Sequence, residues 1–255
     1  MDVRVLSRGP TDPFLSARDL FETEYDLSLP VDVRVRTDPD ERTYTGHYAD
    51  HHVLNISASA ASSAMARELA LHEYAHMHRY EQSHPSHHQS MEEALYLALA
   101  GRSVEQRKLT HCYQIANHMK DIYADDITLD VGPADKLVAF LESSLATALA
   151  ERPAEAPQAW RRLTPAADPD ITAVNAAFAL ALVERHGLVA PDHRLYDLAA
   201  AAGSDAPGVS VEQFKSRFAS LADDPDESEY RKALVDVTRA YAVDSSGPAG
   251  GTAAD

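Results

Sequence analysis

The sequence predicts an α+β chain, with a small, mostly antiparallel sheet and its helices first and an α-helical lobe after it. Three observations carry this. Val31-Asp32-Val33-Arg34-Val35-Arg36 alternates strictly between apolar and polar residues, the period-two mark of a half-buried strand. From Ser62 onward the chain breaks into successive stretches of helical periodicity. Between them, Arg152-Pro153-Ala154-Glu155-Ala156-Pro157 has the composition of a linker, dividing a first domain at 1–150 from a helical lobe at 158–243.

Taken in order, Val3 and Val5 alternate with Asp2 and Arg4 and predict a short strand. Asp12-Pro13 opens a helix to about Tyr25, and Leu29-Pro30 ends it. After the 31–36 strand, a turn at 38–41 leads to strands at 43–48 and from His52 to Ser57. The last of these, Val53 to Ser59, is either internal to the sheet or a free edge that an extended peptide could extend by strand addition.

Ser62 or Ser63 is expected to cap the next helix, which ends near Glu81 before a loop at 83–88. Met91 to Ala100 reads as a helix stopped by Gly101, and Val104 to about Asp126 as a long one, with Ile127 to Asp130 leaving it. Gly132-Pro133 marks a new helix to about Ala150. In the lobe, helices are expected at 171–186, 192–202, 211–222 and 227–243, the last two opened by the capping pairs Ser210/Gln213 and Asp226/Glu229. Residues 244–255 have the composition of a disordered tail.

The chain of 255 residues carries 40 acidic and 23 basic side chains, for a formal charge of −17, and only five of the bases are Lys. An acid-rich, Lys-poor surface is the pattern of a halophile's protein, and it argues against nucleic acid or an anionic membrane as partner, since both need a basic footprint. The single cysteine, Cys112, excludes an internal disulfide and reads as a buried small apolar residue. The first residues lack the basic region and apolar core of a signal peptide, and the longest apolar run, near Ala176 to Val183, is too short to span a bilayer, so a cytoplasmic protein is expected. The sequence leaves the oligomeric state open.

The stretch that carries chemistry is His72-Glu73-Tyr74-Ala75-His76, an H-E-x-x-H on a helix. Residues four apart stand one above the other, so His72 and His76 can aim ring nitrogens at one ion. Glu73 lies at the edge of that face, placed to take a proton from a metal-activated water. Two His do not complete a catalytic zinc site. A third His six residues after His76 would fall on Gln82, and His84 follows the helix end.

Better candidates stand on the later helix, where Asn117, Asp121 and Asp125 share a face at i, i+4 and i+8. One carboxylate could bind the metal while its neighbours on that face support a ligand imidazole through a hydrogen bond. Asp121, Asp125 and, upstream, Glu93 all remain open as the third ligand. A chance motif in a metal-free protein would instead leave Asp121 and Asp125 exposed. Tyr123, His111 and His118 are candidates to stabilise an oxyanion, each with a packed or partly exposed residue as the plainer reading. His84, His87 and His88 could bind a second metal or substrate, or form an ordinary solvated turn.

These motifs together resemble the zincin metallopeptidases and, within them, the gluzincin branch, in which H-E-x-x-H is paired with a downstream helix bearing E-x-x-x-D. The resemblance spans about residues 31–130, and uncharacterised archaeal chains look similar over the same region. It implies a zincin-like domain, a zinc cofactor and a peptide or protein substrate. It also implies His72, His76 and Asp121 as ligands, Glu73 as general base, and Asp125 supporting a ligand His. One position departs from the family pattern: Asp121 stands where the family has Glu, a shorter reach that requires the two helices to lie closer. The rival reading is a zincin-fold regulator or scaffold that binds metal without turnover and needs no carboxylate at position 73.

Overall fold

The computed structural model describes residues 1–38, 42–151 and 168–244. The chain is α+β, with a four-stranded mixed sheet. Strand β1 (Val3–Val5) leads into helix α1 (Asp12–Phe21), and β2 (Val31–Arg36), β3 (Tyr44–His47) and β4 (His52–Ser57) follow. The sheet order is β1-β2-β4-β3. β1–β2 and β2–β4 are parallel, and only β3–β4 is antiparallel.

The expectation of a mostly antiparallel sheet is therefore corrected. Successive strands suggest hairpins, but β1 reaches β2 through α1, and β3 forms a hairpin only with β4, closed by Tyr48 N donating to His51 O at 2.9 Å. That leaves the other edge of β4 to pair with β2, Leu54 facing Val33 across one ladder and Thr45 across the other. β4 is thus internal, and every residue from His52 to Ser57 is buried, as befits a strand covered on both faces. The edge strand beside it is β3.

Two compact units divide the chain, one of residues 1–88 with 120–137, the other of 89–119 with 138–255. The expected division near residue 150 does not follow this grouping, because one continuous helix, α6 (Gln106–Val131), contributes to both units. The expected linker at 152–157 and tail from 245 onward lie outside the described residues.

In the first unit, the short helix α2 (Ala58–Ala61) is capped by Ser57 and precedes α3 (Ala66–Glu81), which carries the H-E-x-x-H. Neither Ser62 nor Ser63 caps α3. The helix starts later, at Ala66, and Ser63 Oγ instead accepts from Met65 N at 3.2 Å within the turn. On α1, Phe14, Ala17 and Phe21 form a buried stripe. It meets Tyr74 of α3, whose hydroxyl donates to Phe14 O at 3.2 Å and whose ring meets Phe21 edge-on. Val31, Val33, Leu54 and Ile56 of the sheet and Ala124 and Ile127 of α6 complete the same core. Just past the end of α3, Ser83 takes a φ of 54° and turns the chain away from the helix axis. The expected loop at 83–88 contains a single helical turn, α4 (Pro85–His88).

α6 runs past its expected end at Asp126 to Val131. Ile127 and Thr128 are weak helix formers, but Ile127 is buried in the core and Tyr25 donates to Asp130 Oδ2 at 2.6 Å, so packing decides the extent. In this unit α3 and the second half of α6 run antiparallel, joined by Arg79 Nε donating to Tyr123 O at 3.0 Å, and Glu68 of α3 pairs with Lys136 at the start of α7 (Ala134–Ala150) at 2.9 Å. Gly132 lets them close up. A Cβ there would lie 2.8 Å from both Leu71 Cδ2 and the Thr128 carbonyl oxygen.

The second unit contains α5 (Met91–Leu99), the start of α6, and α7 (Ala134–Ala150) from residue 138. It also contains α8 (Pro169–Arg185), α9 (Arg194–Asp205), α10 (Val211–Ala219) and α11 (Glu227–Arg239), the last followed by a π-helical turn, 240–244. α8 is buried from Ile171 to Val183 at every position but Asn175, and α9 and α10 pack on it. Asp226 and Glu229 form the expected reciprocal capping box of α11. No helix among the described residues is long and apolar enough to cross a membrane.

Gly132→Ala is expected to destabilise the protein by about 1–3 kcal/mol, since one of the two clashing atoms is backbone and cannot rotate away. Denaturant unfolding of the variant beside the parent measures this, and an unchanged midpoint would mean that the α3–α6 spacing is not set there.

Candidate metal centre

α3 and the second half of α6 place three ligand atoms at one point: His72 Nε2, His76 Nε2 and Asp121 Oδ1. The two nitrogens are 3.0 Å apart, and Asp121 Oδ1 is 3.3 Å from His76 Nε2 and 3.8 Å from His72 Nε2. All three residues are half-buried. Around a tetrahedral ion with bond lengths of about 2.1 Å, ligand atoms lie roughly 3.4 Å apart. The observed separations straddle that value, so these side chains fit a metal of zinc's size.

The electrostatics agree. Three carboxylates, Asp121, Asp125 and Glu73, surround His72. Burial opposes a charge on His72, but Asp125, hydrogen-bonded to its Nδ1 at 2.8 Å, together with Asp121 and Glu73, lifts its pKa to about 10. The site is a sink for positive charge. Asp125 is itself only 3 % exposed, so the two acids of α6 converge on the histidines instead of facing solvent. The bond from Nδ1 to Asp125 leaves His72 Nε2 as the atom available to an ion.

Glu73 is buried and accepts a hydrogen bond from the Thr45 hydroxyl through Oε2. Thr45 lies on β3, so the edge strand orients this carboxylate. Two residues along the same face of β3, His47 stacks on Tyr80 of α3 with ring centroids 3.8 Å apart, and Tyr80 stacks in turn on His88 at 4.7 Å. His47 Nδ1 meets His52 Nδ1 at 3.0 Å, and His52 Nε2 meets Glu81 at 3.1 Å. The backbone N–H groups of Ser28 and Leu29 also donate to Glu81. Burial, with neighbouring His52, His76, His88 and Lys120, pushes the His47 pKa down to about 4.

The other candidates are placed elsewhere. Glu93 belongs to the second unit, where it lies at the start of α5 and pairs with Arg231 at 3.3 Å. Asn117, taken as a support for the ligands, is exposed and falls in the second unit. Tyr123 is fully buried, with its ring against His84 at 4.5 Å. His111 is buried against Tyr241, and His118 bonds Asn175 at 2.8 Å and stacks on Phe178. All three are packed residues. Cys112 is buried, and its surroundings push the thiol up to about 12.

Two contributors escape the spacing arguments. Thr45 is not marked by any motif, and only the strand register shows that it faces Glu73. His87 lies in the turn that composition reads as solvated, yet its Nε2 is 2.8 Å from His76 Nδ1. Burial holds its pKa well below the ordinary histidine range.

The chain belongs to a family of unknown function, DUF5781, whose model matches residues 1–243 and so spans both compact units. Comparison with curated proteins and with solved structures gave no match.

Acid is expected to weaken the fold through His47. The unfolded chain takes up a proton there near about 6.5, the ordinary histidine value, whereas the folded chain does so only near 4. Below about 6.5 the unfolded state therefore binds more protons, and stability falls as pH drops from about 6.5 toward 4. Denaturant midpoints at pH 7.5 and pH 5 measure the loss. It should shrink in His47→Gln, and an equal loss in that variant would assign the effect to other groups.

Proposed function

We propose that the protein is a zinc-dependent hydrolase acting on peptide bonds in the cytoplasm, with a zincin-like first unit. One observation carries the reading. His72 Nε2, His76 Nε2 and Asp121 Oδ1 meet at tetrahedral spacing beside a buried glutamate that is not among them. A structural site would fill the fourth position with protein, whereas three ligands with an adjacent carboxylate are the donor set of a catalytic one.

Zinc, when bound, supplies Lewis-acid activation of water and of a carbonyl. The remaining work falls to the chain. Glu73 takes the proton of the attacking water and returns it to the leaving amine, a general base and then a general acid. Thr45 holds one carboxylate oxygen of Glu73, which leaves the other to receive that proton. Asp125 fixes the tautomer of His72 and strengthens it as a donor. Edge strand β3 offers an extended peptide its backbone N–H and C=O groups on the same strand that orients the base. The acid-rich composition suits a protein kept soluble at high salt.

Plasma mass spectrometry on untagged protein is expected to find about one zinc per chain, lost in His76→Ala and Asp121→Ala. Asp125→Ala should weaken zinc about 10–100-fold. Glu73→Gln should keep the metal and lose peptide hydrolysis by roughly 10²–10⁴-fold. Zinc without turnover in the parent would turn the reading into a metal-binding regulator. No zinc in the parent, even after it is supplied, would end it.

A further inference from the structure

The turn that follows α3, Ser83-His84-Pro85-Ser86-His87-His88, is built inward. Ser86 is fully buried and His84 is 6 % exposed. Four contacts form one chain. Ser86 N donates to His84 Nδ1 at 3.3 Å, and Ser86 Oγ lies 2.7 Å from the same nitrogen. His87 Nδ1 lies 2.7 Å from Ser86 Oγ, and His87 Nε2 lies 2.8 Å from His76 Nδ1.

One donor of fixed direction, the Ser86 N–H, sets the order of the bonds that follow. A backbone N–H can only donate, so His84 Nδ1 carries no proton. Its 2.7 Å contact with Ser86 is then a hydrogen bond only if the hydroxyl donates. With that proton committed, Ser86 Oγ can only accept from His87 Nδ1–H. With an ion on His76 Nε2, the proton of that ring stands on Nδ1, and His87 Nε2, 2.8 Å away, is the atom placed to accept it. In that arrangement His76 presents Nε2, the atom that meets His72 and Asp121.

We propose that this turn is a tautomer lock for the metal centre, and that His87 is a positioning residue that presents His76 Nε2 to the ion. The inference rests on the metal reading above and adds four residues' worth of chain to the site. It also separates the roles of the two histidine ligands. His72 is supported by a carboxylate, which raises its basicity, while His76 is supported by a neutral imidazole, which fixes its orientation without adding negative charge. Three carboxylates already surround the centre, and a fourth at position 87 would add negative charge beside them.

The direct test is the tautomer of each ring in the zinc-loaded full chain, read from long-range proton–nitrogen NMR correlations of the imidazoles. His76 and His87 are expected as Nδ1–H and His84 as Nε2–H. Finding His87 as Nε2–H would overturn the lock.

The second test is zinc affinity by competition with a chromophoric chelator, with the visible spectrum of the cobalt(II)-substituted protein as a separate readout. His87→Leu should weaken zinc about 10–100-fold and alter the cobalt spectrum. His87→Gln, which keeps an acceptor oxygen, should recover most of both, and Ser86→Ala should fall between. His87→Leu with the parent's affinity and spectrum would sink the lock and leave the metal reading standing. A parent that binds neither metal would sink both.

Discussion

The antiparallel pairing of α3 with the second half of α6 is the constraint on which the candidate site depends. His72 and His76 come from one helix, Asp121 and Asp125 from the other, and the three ligand atoms meet where the two helices pair. The seam is tied by Arg79 to the Tyr123 carbonyl, and Glu68 of α3 is tied to Lys136 at the start of the next helix, α7. Between these ties lies Gly132, where the absence of a side chain gives Leu71 its room. An aspartate ligand is one methylene shorter than a glutamate, so the centre can close only if the helices are held near each other. Core packing and ligand geometry are here the same requirement.

Around that seam the site is organised in shells of hydrogen bonds that run one way. Asp125 takes the proton of one ligand, His87 that of the other, and Thr45 holds the base. Each arrangement leaves a lone pair facing inward. Such convergence of carboxylates calls for a positive charge between them, which a protonated His72, its pKa lifted to about 10, or a bound cation supplies. The fold sustains it with a buried core of α1, the sheet and α3 on the other side of the same helix.

Much of this was legible in the sequence, for identifiable reasons. Periodicity placed β2, β4 and the H-E-x-x-H helix, and the four-residue spacing of Asp121 and Asp125 put both on one face. Capping residues located the start of α11. Sheet order was not legible, because alternation in Val31 to Arg36 records burial and says nothing of which neighbour a strand takes. The end of α6 was missed because Ile127 and Thr128 disfavour helix locally and only the distant core overrules them. Thr45 and His87 were missed as contributors for a related reason. Their roles arise from contacts across 28 and 11 residues of chain, which no local spacing encodes.

The edge strand has a consequence of its own. Glu73 is aligned by a residue of β3, the strand along which an extended peptide would pair. The base is thus held in place before any substrate arrives, and a peptide pairing with β3 would be registered against it by the same strand. On the proposed reading, a strand four residues long would favour extended substrates able to pair along its whole length.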